Sequence, residues 1–147
     1  MDEPVIRGPG DGEQLSLGET HGEIKAAHAD TRGRFALVDT VFAPGFQGPP
    51  PHRHREMHDC FYVIDGTLVF QVDGRRVEAG PGTFVAVPPG VVHTFANEGA
   101  EPARVLNLFS PAGLEAYLRE LAALGRASDP AIMAELASRY DFELADG

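Results

Sequence analysis

The sequence contains a single cysteine and no long hydrophobic run. These two features exclude a fold held by intrachain disulfides and a membrane-spanning helix. Cys60 alone cannot form an intrachain disulfide, which agrees with a reducing compartment. Residues 1–14 contain neither the basic segment nor the apolar segment of a secretory leader. No apolar stretch is long enough to cross a bilayer, so we expect a cytoplasmic protein that does not enter a membrane.

Basic residues are also scarce, since 12 Lys and Arg side chains stand against 22 Asp and Glu side chains. The formal net charge of −10 disfavours binding to nucleic acids and to anionic lipid surfaces, because both are recognised mainly through Lys and Arg. A chain of 147 residues, 43% of them hydrophobic, suits one domain with one core. The partner that we expect is therefore a small-molecule substrate.

Short apolar segments, separated by turns that contain glycine or proline, dominate residues 19–110. Asp65-Gly66 is one of the dipeptides that commonly close β-hairpins. The pattern predicts an all-β fold, a barrel of short antiparallel strands. Segments 35–43 and 83–87 are apolar on both faces of a strand, so we expect the outer face to pack on the second subunit of a homodimer.

The chain divides into three segments on this basis. Residues 1–18 form a flexible N-terminal arm, because the first dozen are rich in Gly, Pro and Asp and offer little to bury. Residues 19–110 form the barrel, and residues 111–147 form a C-terminal helical extension. The extension is too short for a core of its own, so it is expected to brace the barrel.

Two helices are predicted in the extension. The first has an apolar stripe at helical spacing, formed by Leu114, Tyr117, Leu118 and Leu121. It is expected to end before Gly125. The second has Pro130 in its first turn and either Ser128 or Asp129 as its cap.

Four of the six histidines lie in two short segments, with His52, His54 and His58 in the first and His93 in the second. Residues two apart on a strand point to the same face, so His52 and His54 can place two imidazoles side by side. Close imidazoles without a function would repel each other when protonated, which favours a metal site over a structural role. His93 is the expected third ligand.

The spacing leaves two candidates for the fourth ligand, of which Asp59 is preferred over His58. Asp59 lies at odd spacing from His54, so a regular strand would turn it outward, whereas one extra residue or a bulge would bring it back. His58 faces away by the same alternation, but it becomes the ligand if the connecting segment is one residue tighter. Both alternatives remain open from the residues alone.

The second histidine segment matches the second motif of the cupin family at every fixed position. That motif reads G-x5-P-x-G-x2-H-x3-N, and its fixed positions are filled by Gly82, Pro88, Gly90, His93 and Asn97. The first motif, G-x5-H-x-H-x3-4-E-x6-G, is matched in order at His52, His54 and Gly66. Asp59 stands where the family usually has Glu, and the leading glycine, Gly45 or Gly48, is irregularly spaced.

The chain therefore resembles the cupin family, and its ending is similar to that of small single-domain bacterial cupins related to quercetin 2,3-dioxygenase. The resemblance implies a double-stranded β-helix, the cupin jelly-roll barrel, followed by two short C-terminal helices. It also implies that His52, His54 and His93 bind a metal inside the wider mouth of the barrel.

Three imidazoles and one carboxylate suit one divalent transition metal, Fe, Mn, Ni, Cu or Zn, and leave one or two positions open. We expect a dioxygenase-like, metal-dependent oxygenase for a small aromatic or enolic substrate, with Asp59 as ligand and proton acceptor. Phe61 and Phe95 share strand parity with Asp59 and His93, so they are the expected pocket residues. The alternatives are a redox-neutral isomerase, cyclase or dehydratase, and a non-catalytic ligand-binding protein.

Overall fold

The structure, a computed structural model, describes residues 3–125 and 129–145 and consists mainly of short strands. The strands are β1 (Glu13–Leu17), β2 (Thr20–Ala26), β3 (Ala36–Phe42), β4 (His52–Arg53), β5 (His58–Asp65), β6 (Leu68–Val72), β7 (Arg75–Ala79), β8 (Phe84–Val87), β9 (His93–Ala96), β10 (Ala103–Ser110) and β11 (Glu143–Leu144). The helices within these residues are α1 (His28–Thr31), α2 (Leu114–Leu124) and α3 (Pro130–Ser138). The predicted all-β fold with C-terminal helices is confirmed.

The strands form two antiparallel sheets, ordered β1-β2-β3-β10-β5-β8 and β11-β4-β9-β6-β7. In β3 and β5 every second residue is buried, as expected for strands with one face against a core. Phe42 and Phe61 of the six-stranded sheet belong to the same core cluster as Leu68 and Phe70 of the five-stranded sheet. The two sheets therefore face each other and enclose the interior of a barrel.

Gly48 and Asn97 fix the backbone beside the histidine strands. Gly48 has a φ of +74°, and a Cβ atom there would lie 1.6 Å from the carbonyl oxygen of Phe95, so only glycine fits. The side-chain amide of Asn97 donates hydrogen bonds of 3.1 and 2.9 Å to the carbonyl oxygens of Phe42 and Glu101. Gly48 therefore lets the loop before β4 lie close against β9, and the Asn97 side chain ties the end of β9 to the end of β3 and to the segment before β10.

Helix α2 packs on the N-terminal part of the six-stranded sheet. Leu114 and Leu118 contact a cluster that contains Leu15 of β1 and Phe109 of β10. The helix ends before Gly125, as the sequence predicts, and that glycine has a φ of +76°. The stripe of apolar residues is thus the face that braces the barrel.

Helix α3 begins where its capping signals predict. The side chain of Asp129 accepts a hydrogen bond of 2.8 Å from the backbone nitrogen of Ala131, and Pro130 occupies the first turn. Ser128, the other predicted cap, lies outside the described residues. None of the helices in the described part of the chain is long and apolar enough to cross a membrane.

The boundaries of the barrel differ from those that we expected. Strand β1 pairs along its whole length with β2, and Leu15 is buried between the barrel and α2. Strand β1 therefore replaces the last part of the N-terminal arm expected over residues 1–18, because alternating polar and apolar residues form a strand from Glu13 onward. The C-terminal extension also contains a strand, β11, which pairs with β4.

The outer face of the six-stranded sheet carries exposed apolar side chains. Val41, Tyr62 and Phe84 are exposed to 38%, 45% and 63%. Val41 and Phe84 lie on β3 and β8, the strands in the two segments that are apolar on both faces in the sequence, and Tyr62 lies on β5. The homodimer stays a prediction.

Candidate metal centre

Two neighbouring strands of the five-stranded sheet bring three histidines together. His52 in β4 pairs directly with His93 in β9, and His54 follows two residues after His52. The ring centroids lie 4.3 Å apart for His52 and His93, and 4.9 Å apart for His52 and His54. All three side chains are buried. The pairing of imidazoles that the spacing predicts is therefore present inside the barrel.

Asp59 reaches the three imidazoles from β5, in the opposite sheet. Its Oδ2 atom lies 3.1 Å from His93 Nε2 and 3.4 Å from His54 Nε2. Each of the four side chains offers one ligand-type atom, and these atoms all lie within 4.8 Å of one another. His58, the alternative ligand, is exposed on the same strand and does not join this cluster, because alternation turns it to the outer face.

Each of the three imidazole rings is held in one tautomer. Their Nδ1 atoms face backbone carbonyl oxygens, His52 that of Pro50 at 2.9 Å, His54 that of Asp141 at 2.6 Å and His93 that of Val91 at 3.0 Å. A carbonyl oxygen only accepts hydrogen bonds, so each Nδ1 atom must carry the proton. In the neutral ring the Nε2 atom then has a free lone pair, which is the arrangement of metal-binding histidines.

The donor set fits a metal ion by a direct structural test. Among the described residues, His54 Nε2 is the buried side-chain nitrogen or oxygen that has no hydrogen-bond partner. Its distance to Asp59 does not correspond to hydrogen-bond geometry. Leaving a buried polar atom unsatisfied costs about 1–3 kcal/mol, so an electron-pair acceptor bound to this nitrogen would stabilise the folded protein. A divalent metal ion bound among the four side chains would satisfy it.

The protein environment favours the ligand protonation states for two of these side chains. Burial, together with the charge of His93, lowers the pKa of His52 to about 4, so that ring is neutral at neutral pH. Burial opposes ionisation of Asp59, but its contacts with His54 and His93 outweigh that effect and hold its pKa at about 2. An ionised carboxylate beside the neutral His52 imidazole is therefore present before a metal binds. Burial lowers the pKa of His54, but its contact with Asp59 outweighs burial and raises that pKa, so a metal competes with a proton for this ring as the pH falls.

Asn107 orients the carboxylate of Asp59. Its side-chain Nδ2 atom donates a hydrogen bond of 2.8 Å to Asp59 Oδ1 and one of 2.9 Å to the carbonyl oxygen of Cys60. Because Oδ1 is held in this way, Oδ2 is the atom that faces the imidazoles. The sequence-based prediction missed Asn107, although a single amide in the middle of the apolar strand β10 is a usable signal.

Asp141 ties the C-terminal segment to the loop between the two groups of ligands. Its carboxylate accepts hydrogen bonds from the backbone nitrogens of Arg55, Glu56 and Met57, the last two at 3.0 Å. Its own carbonyl oxygen is the acceptor for His54 Nδ1. This residue therefore positions His54 through the backbone, and it was not predicted.

The cluster opens into an apolar cavity of about 420 Å³. This volume lies within the range of small-molecule sites, roughly 300–1,000 Å³. His52, Asp59 and Asn107 supply polar atoms in its wall. The aromatic part of the remaining lining, beside aliphatic and small residues, consists of Phe42, Phe46, Phe95 and Phe109 from the barrel and Tyr117 and Phe142 from the C-terminal extension. The cavity therefore suits a ligand that is mainly apolar and flat.

The two predicted pocket phenylalanines take different places. Phe95 lines the cavity. Phe61 is buried beneath it in the core, with its ring centroid 4.9 Å from that of Phe70 and 5.2 Å from that of Phe95. Phe142, which was not predicted, stacks on His52 at 4.3 Å with an interplanar angle of 10°. The ring beside the histidines thus comes from the C-terminal segment, whereas Phe61 supports the cavity floor.

Comparison with known proteins gives a consistent assignment. Residues 38–109 match the family model described as Cupin domain. Quercetin 2,3-dioxygenase of Bacillus subtilis is 26% identical over 118 residues, which cover 80% of this chain and 34% of that protein. Germin-like protein 4-1 of Oryza sativa is 35% identical over 79 residues, or 47% of this chain and 30% of that protein. The chain spans about a third of the length of the curated relatives it matches.

Solved structures share the fold. KdgF from Halomonas sp. gives a TM-score of 0.67 at 18% identity, over 78% of this chain and 99% of that chain. The polyketide cyclase RemF from Streptomyces resistomycificus gives 0.60 at 26% identity, over 75% and 80% of the two chains. Two facing antiparallel sheets around a buried histidine and aspartate cluster define a small β-barrel protein that can hold a metal ion. The chain belongs to the cupin family.

Proposed function

We propose that this cupin is a metal-dependent oxygenase that acts on a small aromatic or enolic substrate. The observation that carries the proposal is the unpartnered Nε2 atom of His54, within a set of three imidazoles and one carboxylate that opens into an aromatic cavity. A divalent metal bound there would act as a Lewis acid with open positions for a substrate oxygen and for dioxygen.

Asp59 is the side chain that we expect to move a proton. It is ionised at neutral pH, so its carboxylate is in the form that can accept the proton of a substrate hydroxyl that a bound metal would make more acidic. Because Asn107 holds Oδ1, the accepting atom is Oδ2, which is 3.1 Å from His93 Nε2.

The aromatic side chains keep the site dry and orient the substrate. Phe142 covers one face of the His52 ring, and Phe95 lines the cavity beside the cluster. A flat, apolar substrate would stack on these rings and displace water from the reacting atoms. The sequence similarity to a quercetin 2,3-dioxygenase agrees with a flavonol-like substrate.

A redox-neutral reaction is the second candidate. Its support is the likeness to the polyketide cyclase RemF, at 26% identity and a TM-score of 0.60. The same ligand set and aromatic cavity can bind a polyketide-like enol and polarise it without consuming oxygen. The two candidates differ in the need for dioxygen and for a redox-active metal.

Oxygen consumption separates these candidates. The protein is loaded in turn with Fe, Mn, Ni, Cu or Zn and mixed with a flavonol, a β-diketone or a catechol in an oxygen electrode. We expect substrate-dependent oxygen uptake with at least one redox-active metal and none with Zn. His58→Ala serves as the control, and it should retain the activity because His58 is exposed outside the cluster.

Two other outcomes would contradict the oxygenase. Product formation with Zn under anaerobic conditions would favour the redox-neutral reaction. Tight binding of a substrate with no conversion under any metal would indicate a non-catalytic binding protein.

A further inference from the structure

Tyr117 brings an unused hydroxyl group to the cavity. The residue lies on α2, lines the cavity and is only 7% exposed. Its hydroxyl makes no hydrogen bond with residues 3–125 or 129–145. Tyrosine hydroxyls at binding sites usually find a hydrogen-bond partner, so this hydroxyl is available to a polar atom of a ligand in the cavity.

A second tyrosine in the same helical extension, Tyr140, has a hydroxyl group that is hydrogen-bonded within the protein. Tyr140 donates its hydroxyl hydrogen to a carboxylate oxygen of Glu120, and it does not line the cavity. The rings of Tyr117 and Tyr140 lie 5.6 Å apart, so both belong to the small core between α2 and α3. The absence of a partner for Tyr117 is therefore a property of its position on the cavity.

Tyr117 is close to the metal centre without belonging to it. Its ring lies 5.2 Å from Phe142, which in turn stacks on His52 at 4.3 Å. Burial raises the pKa of the Tyr117 hydroxyl, so it remains protonated and able to donate at neutral pH. Thr40, on the barrel wall, is a second cavity-lining hydroxyl that is 7% exposed and has no hydrogen bond within the described residues.

We propose that the Tyr117 hydroxyl binds a polar atom on the part of the substrate that points away from the metal centre. The cavity would then select aromatic molecules with two separate oxygen functions, one at the His and Asp cluster and one at Tyr117. This inference rests on the proposed function, because it takes the same cavity as the substrate site. Tyr117 acts as a specificity-determining residue that lies outside the matched cupin domain, residues 38–109.

The test compares two kinds of flavonol on Zn-loaded protein without oxygen, so that binding is measured without turnover. The first probe carries only the hydroxy-ketone that chelates a metal. The others each carry one further hydroxyl on the distal ring. Tyr117→Phe removes one hydroxyl and keeps the ring, and Tyr140→Phe makes the same change outside the cavity as a matched control.

Tyr117→Phe should weaken the binding of one of the hydroxylated flavonols about fivefold to tenfold. The affinity for the first probe should stay within about twofold of the wild-type value. Tyr140→Phe should change the affinity for none of them. The melting temperature of the metal-loaded Tyr117→Phe protein should equal that of wild type, because the hydroxyl makes no hydrogen bond to the described protein that the substitution would remove. A purely structural role for Tyr117 predicts a lower melting temperature.

The outcomes distinguish this inference from the proposed function. One outcome is that wild-type protein binds the flavonols while Tyr117→Phe weakens the binding of all probes equally or of none. In either case the Tyr117 assignment is wrong and the proposed function stands. If wild-type protein binds no flavonol at all, the flavonol-like substrate class fails, and the role of Tyr117 fails with it.

Discussion

Replacing His54 with alanine is expected to abolish stoichiometric metal binding. Binding free energies of roughly 10–16 kcal/mol for four-ligand zinc sites correspond to about 3 kcal/mol per ligand, or about a hundredfold in affinity. His54 should show this loss clearly, because its Nε2 atom has no other partner in the described protein. Elemental analysis after dialysis should fall from about one metal per chain to a small fraction, and calorimetric titration should show the weaker affinity.

Two further variants make this result specific. His54→Gln keeps an amide that can donate to the carbonyl oxygen of Asp141, so a metal loss in that variant does not arise from a disturbed loop. His58→Ala removes an exposed histidine only four residues away and should bind metal like wild type. Unchanged metal content in both His54 variants, or metal loss in His58→Ala, would show that the ligands are misassigned.

Replacing Asp59 with asparagine is expected to lower turnover by roughly 10²–10⁴-fold at saturating metal, the usual contribution of a general base. Asparagine has nearly the same size, so the buried position stays filled while the negative charge and the proton acceptor are lost. The neutral side chain is also a weaker metal ligand, so metal affinity should fall as well. Steady-state kinetics over a metal titration separate the two effects.

Asp65→Asn provides the control for Asp59. Asp65 lies at the far end of the same strand and is exposed, and within the described residues its side chain bonds only the neighbouring backbone nitrogen of Gly66. That variant should keep both metal affinity and turnover. If Asp59→Asn retains wild-type turnover once metal is saturating, Asp59 is not the proton acceptor.

The barrel and the three histidines follow from local sequence features. Turn residues, strand-like segments and the spacing of His52, His54 and His93 are all visible in the chain. Strand alternation places two imidazoles on one face, and the structure brings those two rings within 4.9 Å. Features that depend on residues close in sequence could therefore be predicted.

The inward direction of the Asp59 side chain could not be predicted from strand alternation counted from His54. The parity argument treated His54 and Asp59 as parts of one strand and required a bulge to restore the inward direction. In the structure His54 directly follows β4 of the five-stranded sheet, whereas Asp59 lies in β5 of the six-stranded sheet, and residues 54–57 connect the two strands. The inward direction of Asp59 is set by its own strand, where Phe61 and Val63 are buried on the same face.

The supporting residues could not be found from local spacing because their contacts join distant parts of the chain. Asn107 and Asp59 are 48 positions apart, and Asp141 and His54 are 87 positions apart. Such pairs depend on the register of β10 against β5 and on the return of the C-terminal segment to β4. The prediction that Phe61 lines the pocket was wrong for a related reason. Strand alternation predicts which face of the strand a side chain lies on, but it does not predict how far along the strand the cavity extends.

The central claim is that side chains from two opposed sheets hold one metal ion inside the barrel. Anomalous diffraction from a crystal of the metal-loaded protein, measured above and below the absorption edge of the metal, tests it most directly. The account predicts a single strong peak among His52, His54, Asp59 and His93. A peak elsewhere, or none at that position in protein shown to contain metal, would contradict it.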